Sequence, residues 1–178
     1  MNLDDKDRAI LALLQENARI ANAEIARRIE LAPSAVFQRI RKLEDAGIIQ
    51  GYEARLDPRA LGHGLVAFVR VQTGEGAHAP EIIAALDRLP MVQEIHRVVG
   101  EDCFFVKVRV EDTHVLAELL DEHIQLIPGV ASTKTTIVLT TAKETRELPL
   151  EAPSLELVTD GGASEEGAGE GNQSQESA

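Results

Sequence analysis

The segment NAEIARRIELAPSAVFQRIRKLEDA, residues 22 to 46, leaves few folds open. It reads as two short amphipathic helices joined by a tight turn at Glu30-Leu31-Ala32. At about 100° per residue, Val36, Ile40 and Leu43 fall on one stripe of the second helix, while Ser34, Gln38, Arg41, Lys42 and Asp45 fall on the opposite side. The first helix brings the matching apolar set, Ile25, Ala26 and Ile29, with Leu31 in the turn; Ala26 is small where the two helices cross. A solvated surface helix carries as many polar side chains, but it brings no partner with a complementary stripe. The pattern is that of a helix-turn-helix. A helix entering the major groove needs long donors for base edges and cations for the flanking phosphates. Gln38 and Arg41 suit the first task, Arg39 and Lys42 the second, and Ser34 opens the same face. Glu30 stands where such a turn most often has Gly, so it stores strain at positive φ or takes another geometry.

A formal charge of −12 over 178 residues opposes nucleic-acid binding until its distribution is considered. Residues 1–63 hold ten Lys plus Arg against ten Asp plus Glu, residues 64–149 eight against thirteen, and residues 150–178 none against seven. The acidic excess thus lies outside the reading head. Because the head is only neutral overall, affinity must come from local clustering and from more than one head per complex. The last stretch, rich in Gly, Ser and Glu, buries too little apolar surface to offset its ordering entropy, and residues 150–178 are expected to form a disordered acidic tail. One Cys excludes an intrachain disulfide. With no apolar N-terminal stretch, neither a secretory signal nor a membrane span is expected, which points to the cytoplasm.

Pro58, Gly62 and Gly64 break the chain, so residues 1–56 are expected as the helix-turn-helix domain, 57–63 as a linker and 64–149 as a second domain. There the pattern turns mixed. Residues 65–73 are strand-like, 80–89 helical with Ile82, Ile83, Leu86 and Leu89 inward, and 92–99 strand-like again. Residues 103–110 alternate: Phe104, Val106, Val108 and Val110 face one way, and Cys103, Phe105, Lys107 and Arg109 the other. Asp112 can cap a helix whose buried stripe is Leu116, Leu119, Leu120, Ile124 and Ile127, and residues 133–141 supply a last strand. The order is βαββαβ, the ferredoxin-like arrangement, so the fold class is α+β. A short repeat supports it, with Leu89-Pro90-Met91-Val92 after one helix and Ile127-Pro128-Gly129-Val130 after the other. Helices on one face leave the other sheet face open. The first strand is apolar on both sides, so a second copy of the chain is the natural cover.

These stretches together resemble the feast/famine, or leucine-responsive (Lrp/AsnC), family of transcription regulators. The likeness runs through LDDKDRAILALLQENARI, NAEIARRIELAPSAVFQRIRKLEDAGIIQGY, LDPRALG, HRVVGEDCFFVKVRV and IPGVASTKTTIVL, and covers residues 2 to about 145. It implies a winged helix-turn-helix on double-stranded DNA and a homodimer made through the second domain, often built into tetramers or octamers. It also implies an amino acid or related metabolite as effector, bound between subunits. The family's effector loop falls on Gly100, Glu101, Asp102 and Cys103. Cys103 stands where the family frequently has Asp, and Glu101 or Asp102 could supply that charge from a neighbouring position.

Two other chemistries find little support in the residues. His114 and His123 lie nine residues apart, about 900° along a helix, and project from opposite faces, which argues against a metal site; no cofactor is expected. Siroheme decarboxylases are similar to this family in both domains. Such an enzyme needs Arg and His projecting into a cavity for a large anionic tetrapyrrole, whereas His96 and Arg97, adjacent on a strand, point to opposite faces and the domain is net acidic. A non-enzymatic regulator is the expectation. An oligomeric metabolite binder without DNA binding is disfavoured by the basic face of the second helix.

Overall fold

The computed structural model describes residues 2–100 and 103–150. Glu101, Asp102 and the expected acidic tail from 151 onward lie outside them. The described residues divide into two units, residues 2–46 with 147–150, and residues 47–100 with 103–146.

The first unit is built on three helices, α1 Asp5–Glu16, α2 Asn22–Arg28 and α3 Pro33–Asp45. Asp4 starts α1 with a capping box: its carboxylate accepts from the Asp7 N–H at 2.8 Å, and the Asp7 carboxylate accepts from the Asp4 N–H at 3.2 Å. Ile10, Leu11, Ile25, Ala26, Ile29, Val36, Ile40 and Leu43 are buried together as the core. Lys6 donates from Nζ to the Ile29 carbonyl at 2.6 Å, satisfying one of the acceptors left over at the end of α2. Beyond Ala46, Leu148 and Leu150 return to α1 through Gln15 and Arg8, with the Arg8 guanidinium donating to the Leu150 carbonyl at 2.6 Å.

The second unit holds β1 Leu65–Thr73, α4 Ala79–Asp87, β2 Val92–Arg97, β3 Phe104–Val110, α5 Thr113–Glu118 and β4 Val130–Ile137. A π-helical segment, Leu119–Ile124, continues α5. The strands form one antiparallel sheet in the order β2-β3-β1-β4. Alternation fixes the two faces. Ala67, Val69 and Val71 of β1 and Phe104, Val106, Val108 and Val110 of β3 are buried against Ile82 and Leu86 of α4 and against Leu116, Leu119 and Ile124. Asp112 caps α5, accepting from the N–H groups of His114 and Val115. The two Pro-containing turns share two hydrogen bonds: Leu89 N–H to Leu86 O and Val92 N–H to Leu89 O in one, Ile127 N–H to Ile124 O and Val130 N–H to Ile127 O in the other. The short repeat is therefore a repeated turn.

The boundaries differ from expectation where tertiary partners set them. β4 spans 130–137 and not 133–141, because β1 offers Thr73 to Val130 at one end and Ala67 to Ile137 at the other. Val138 N–H still reaches Val66 O, one residue short of the start of β1 at Leu65. β2 stops at Arg97; Val98 instead donates to the Cys103 carbonyl and turns the chain toward β3. The stretch 57–63, expected as a linker, lies inside the second unit as a closed turn. There the Asp57 carboxylate accepts from the Arg59 N–H at 2.9 Å and His63 N–H returns to Pro58 O at 2.7 Å. Residues 47–64 contain no strand.

The second sheet face carries Val66, Phe68 and Arg70 of β1, Phe105, Lys107 and Arg109 of β3, and Glu94 and His96 of β2. Phe68 and Phe105 stack at 5.2 Å between centroids and stay half-buried. Glu144, beyond β4, bonds both Lys107 and Arg109, and Glu94 takes a second bond from Lys107 at 3.0 Å. Burial alone would push Lys107 down, but its bonds to Glu144 and Glu94 outweigh this and hold it above its ordinary value. Lys107 in turn lowers both carboxyls.

Candidate functional site

The turn between α2 and α3 positions the site. Glu30 sits at φ 55°, and Leu31 N–H reaches back to Ala26 O at 3.0 Å. This is a Schellman arrangement with Glu30 at the left-handed position that Gly usually fills, so the strained alternative is the one the chain adopts. α3 then starts on Pro33 at its first turn, a position where the missing N–H costs nothing. Val36, Ile40 and Leu43 lock its inner stripe into the core, which turns Ser34, Gln38, Arg41, Lys42 and Asp45 to solvent. Neither Arg41 nor Lys42 makes an ion pair among the described residues.

Arg39 is placed differently from Ser34, Gln38, Arg41 and Lys42. It flanks the face and turns to the start of α1, donating to Asp4 at 2.7 Å and to the buried Asp7 at 2.6 Å. Hydrogen bonds from the Asp7 N–H first, and from Arg39 second, hold the Asp4 carboxyl below its ordinary value. The expectation that Arg39 serves phosphates thus meets a guanidinium already committed to tying α3 to α1. On α2, Glu24 pairs with Arg27 and Arg28, both at 2.8 Å, and those bonds bring its pKa down to about 2.

Sequence reasoning passed over Phe37. Its side chain is 51% exposed on α3, with the Arg41 guanidinium carbon 6.0 Å from its ring centroid. The i,i+4 spacing of an aromatic and a cation was the available signal.

In the expected effector loop, Gly100 has φ 140°, a conformation open to Gly. A Cβ there meets nothing within 4 Å, so it is the backbone angle that calls for Gly. Cys103 lies between the loop and β3, half-buried, with Sγ 2.9 Å from Thr73 Oγ1 and its N–H on Val71 O at 3.0 Å. The thiol is drawn to β1, a partner 30 residues away that sequence spacing does not indicate. Glu101 and Asp102 lie outside the described residues. His78 precedes α4 and pairs with Glu81, and His96 pairs with Glu94. No cluster of three or more His, Cys, Asp or Glu side chains suited to a metal occurs among the described residues. Nor is any described helix long and apolar enough to cross a membrane.

Comparison with known proteins decides the lineage. Residues 3–50 match the winged helix-turn-helix DNA-binding family and residues 66–148 the Lrp/AsnC ligand binding domain. The leucine-responsive regulatory protein of Salmonella typhimurium is 38% identical over 151 residues, covering 83% of this chain and 91% of its own. The chain belongs to the Lrp/AsnC family. Among solved structures, a transcriptional regulator from Neisseria meningitidis in complex with L-Met aligns with a TM-score of 0.80 at 33% identity, covering 84% of this chain and 97% of that one. The feast or famine regulatory protein from M. tuberculosis complexed with L-methionine aligns with a TM-score of 0.77 at 35% identity, covering 83% and 99%. The molecule is thus a transcriptional regulator, with a DNA-binding helix-turn-helix followed by a ferredoxin-like ligand-binding domain.

Proposed function

We propose that this regulator reads specific duplex sequences with the outer face of α3 and adjusts its occupancy when an amino acid or related metabolite binds its second domain. Ser34, Gln38, Arg41 and Lys42 make the DNA contacts, Gln38 and Arg41 at base edges and Lys42 at phosphate. The observation that carries this reading is the division of α3 into a locked apolar stripe and an exposed polar face whose two cations, Arg41 and Lys42, have no ion pair among the described residues. Arg39 acts as a brace between α3 and α1. The unit of α1, α2 and α3 forms the reading head, and the second unit, residues 47–146, the effector and oligomerisation domain.

The ligand reading rests on the two related regulators solved with L-methionine, and the Gly100 to Cys103 loop is where an effector ammonium meets Glu101 or Asp102. The protein acts as a homodimer or larger assembly in the cytoplasm and catalyses no reaction. Genomic binding-site mapping, with and without added methionine or leucine, tests this. Discrete sites whose occupancy shifts with the amino acid are expected. Uniform occupancy contradicts the DNA reading, and discrete sites indifferent to every amino acid contradict the effector reading.

A further inference from the structure

We infer that Phe37 is a specificity residue: its ring meets the C5 methyl of a thymine lying beside the base that Arg41 contacts. The inference rests on α3 reading DNA and adds a base and a residue to that reading. Among described residues 2–46, Phe37 is the large apolar side chain left exposed, at 51%, while the core of the unit closes without it. Its exposed neighbours on α3, Ser34, Gln38 and Arg41, are polar. Gln38 is next in sequence, and Arg41, one turn on, lies over the ring at 6.0 Å. A cation–π contact at that distance favours guanidinium orientations that lie against the ring, which suits a bidentate contact.

In the major groove the apolar group available to such a ring is the thymine methyl, and the bidentate partner of an arginine is guanine O6 and N7. Residues four apart on a helix are separated by about 6 Å along its axis. Base pairs stack about 3.4 Å apart, so the thymine lies within about two base pairs of the guanine.

The test begins with selection of a preferred duplex from a random pool by the full chain. Each thymine of the selected site is then replaced in turn by deoxyuridine, which removes one methyl group and nothing else. Wild-type protein should lose about fourfold in affinity at one thymine per half-site, the worth of one buried methyl. Phe37→Ala should bind the thymine duplex correspondingly less tightly and be indifferent to deoxyuridine there, whereas Phe37→Leu should keep part of the discrimination. Helical circular dichroism should match wild type in both variants, since the ring supports no core. The proposal is overturned if Phe37→Ala keeps the wild-type ratio, or if wild type is indifferent at every thymine. It is also overturned if Phe37→Ala weakens both duplexes equally while lowering the mass in light scattering, which assigns the ring to a contact between copies. Absence of any enriched sequence defeats the parent reading, an outcome distinct from an enriched site that Phe37→Ala reads as wild type does.

Discussion

Glu30 is held at φ 55° by the turn that sets the angle between α2 and α3. A left-handed residue with a Cβ costs about 1 kcal/mol, more when the side chain is β-branched. Glu30→Val should therefore lower stability by about 1–2 kcal/mol, while Glu30→Gly, free of that penalty but more flexible when unfolded, should equal or exceed wild type. Chemical denaturation followed by circular dichroism gives the order; Val at least as stable as Gly would show that the turn relaxes. Arg39 makes a second residue-scale case. Its guanidinium neutralises Asp7, which is 5% exposed. Arg39→Met leaves that carboxylate with a lost partner and should cost about 1–3 kcal/mol of stability. Sequence preference in DNA selection should persist, and its loss in a folded Arg39→Met protein would return Arg39 to the reading face.

Among the elements, β3 and α3 were the most legible in sequence, because each carries one period without interruption. Two-residue alternation over 103–110 names the buried face of β3, and the stripe of Val36, Ile40 and Leu43 orients α3. What sequence hides is whatever a distant partner decides. The bounds of β4 follow its pairing with β1; Arg39 turns aside because Asp4 and Asp7, 35 and 32 residues away, meet it. Lys107 and Arg109 were placed on the open face correctly, yet nothing in the pattern shows that Glu144, 37 residues from Lys107, covers them. That cluster links the sheet to pH. Glu94 and Glu144 both titrate below the ordinary 4.5, so the folded chain takes up their protons at lower pH than the unfolded chain does. Their contribution is complete above the ordinary value and is lost as pH falls through the lowered values. Lys107 has the opposite sign: raised above 10.5, its contribution is complete below that value and lost as pH rises past the raised one. Thermal melts of Glu144→Gln should decline less steeply than wild type between about pH 5 and 3, from a lower starting point. Parallel wild-type and variant curves would show the cluster to be energetically idle.

For the whole molecule, the division of charge and of labour coincide. The acidic excess lies in residues 64–178, and the neutral residues 1–63 present Arg41 and Lys42 on the exposed face of α3, without an ion pair among the described residues. The sheet face with stacked Phe68 and Phe105 is the surface proposed to join two copies, which gives DNA two heads to span successive half-sites. Light scattering of the full chain should report at least a dimer, and Phe105→Glu should shift it toward monomer while weakening DNA binding; an unchanged mass would move the interface elsewhere. The central claim is that the outer face of α3 reads bases. Its most direct test is the equilibrium affinity of wild type, Gln38→Ala, Arg41→Ala and Lys42→Ala for a selected duplex and a scrambled one, across a salt series. Gln38→Ala and Arg41→Ala should each lose about 1–3 kcal/mol on the selected duplex alone. Lys42→Ala should weaken both duplexes and flatten the salt dependence. Unchanged discrimination in both Gln38→Ala and Arg41→Ala would contradict the account.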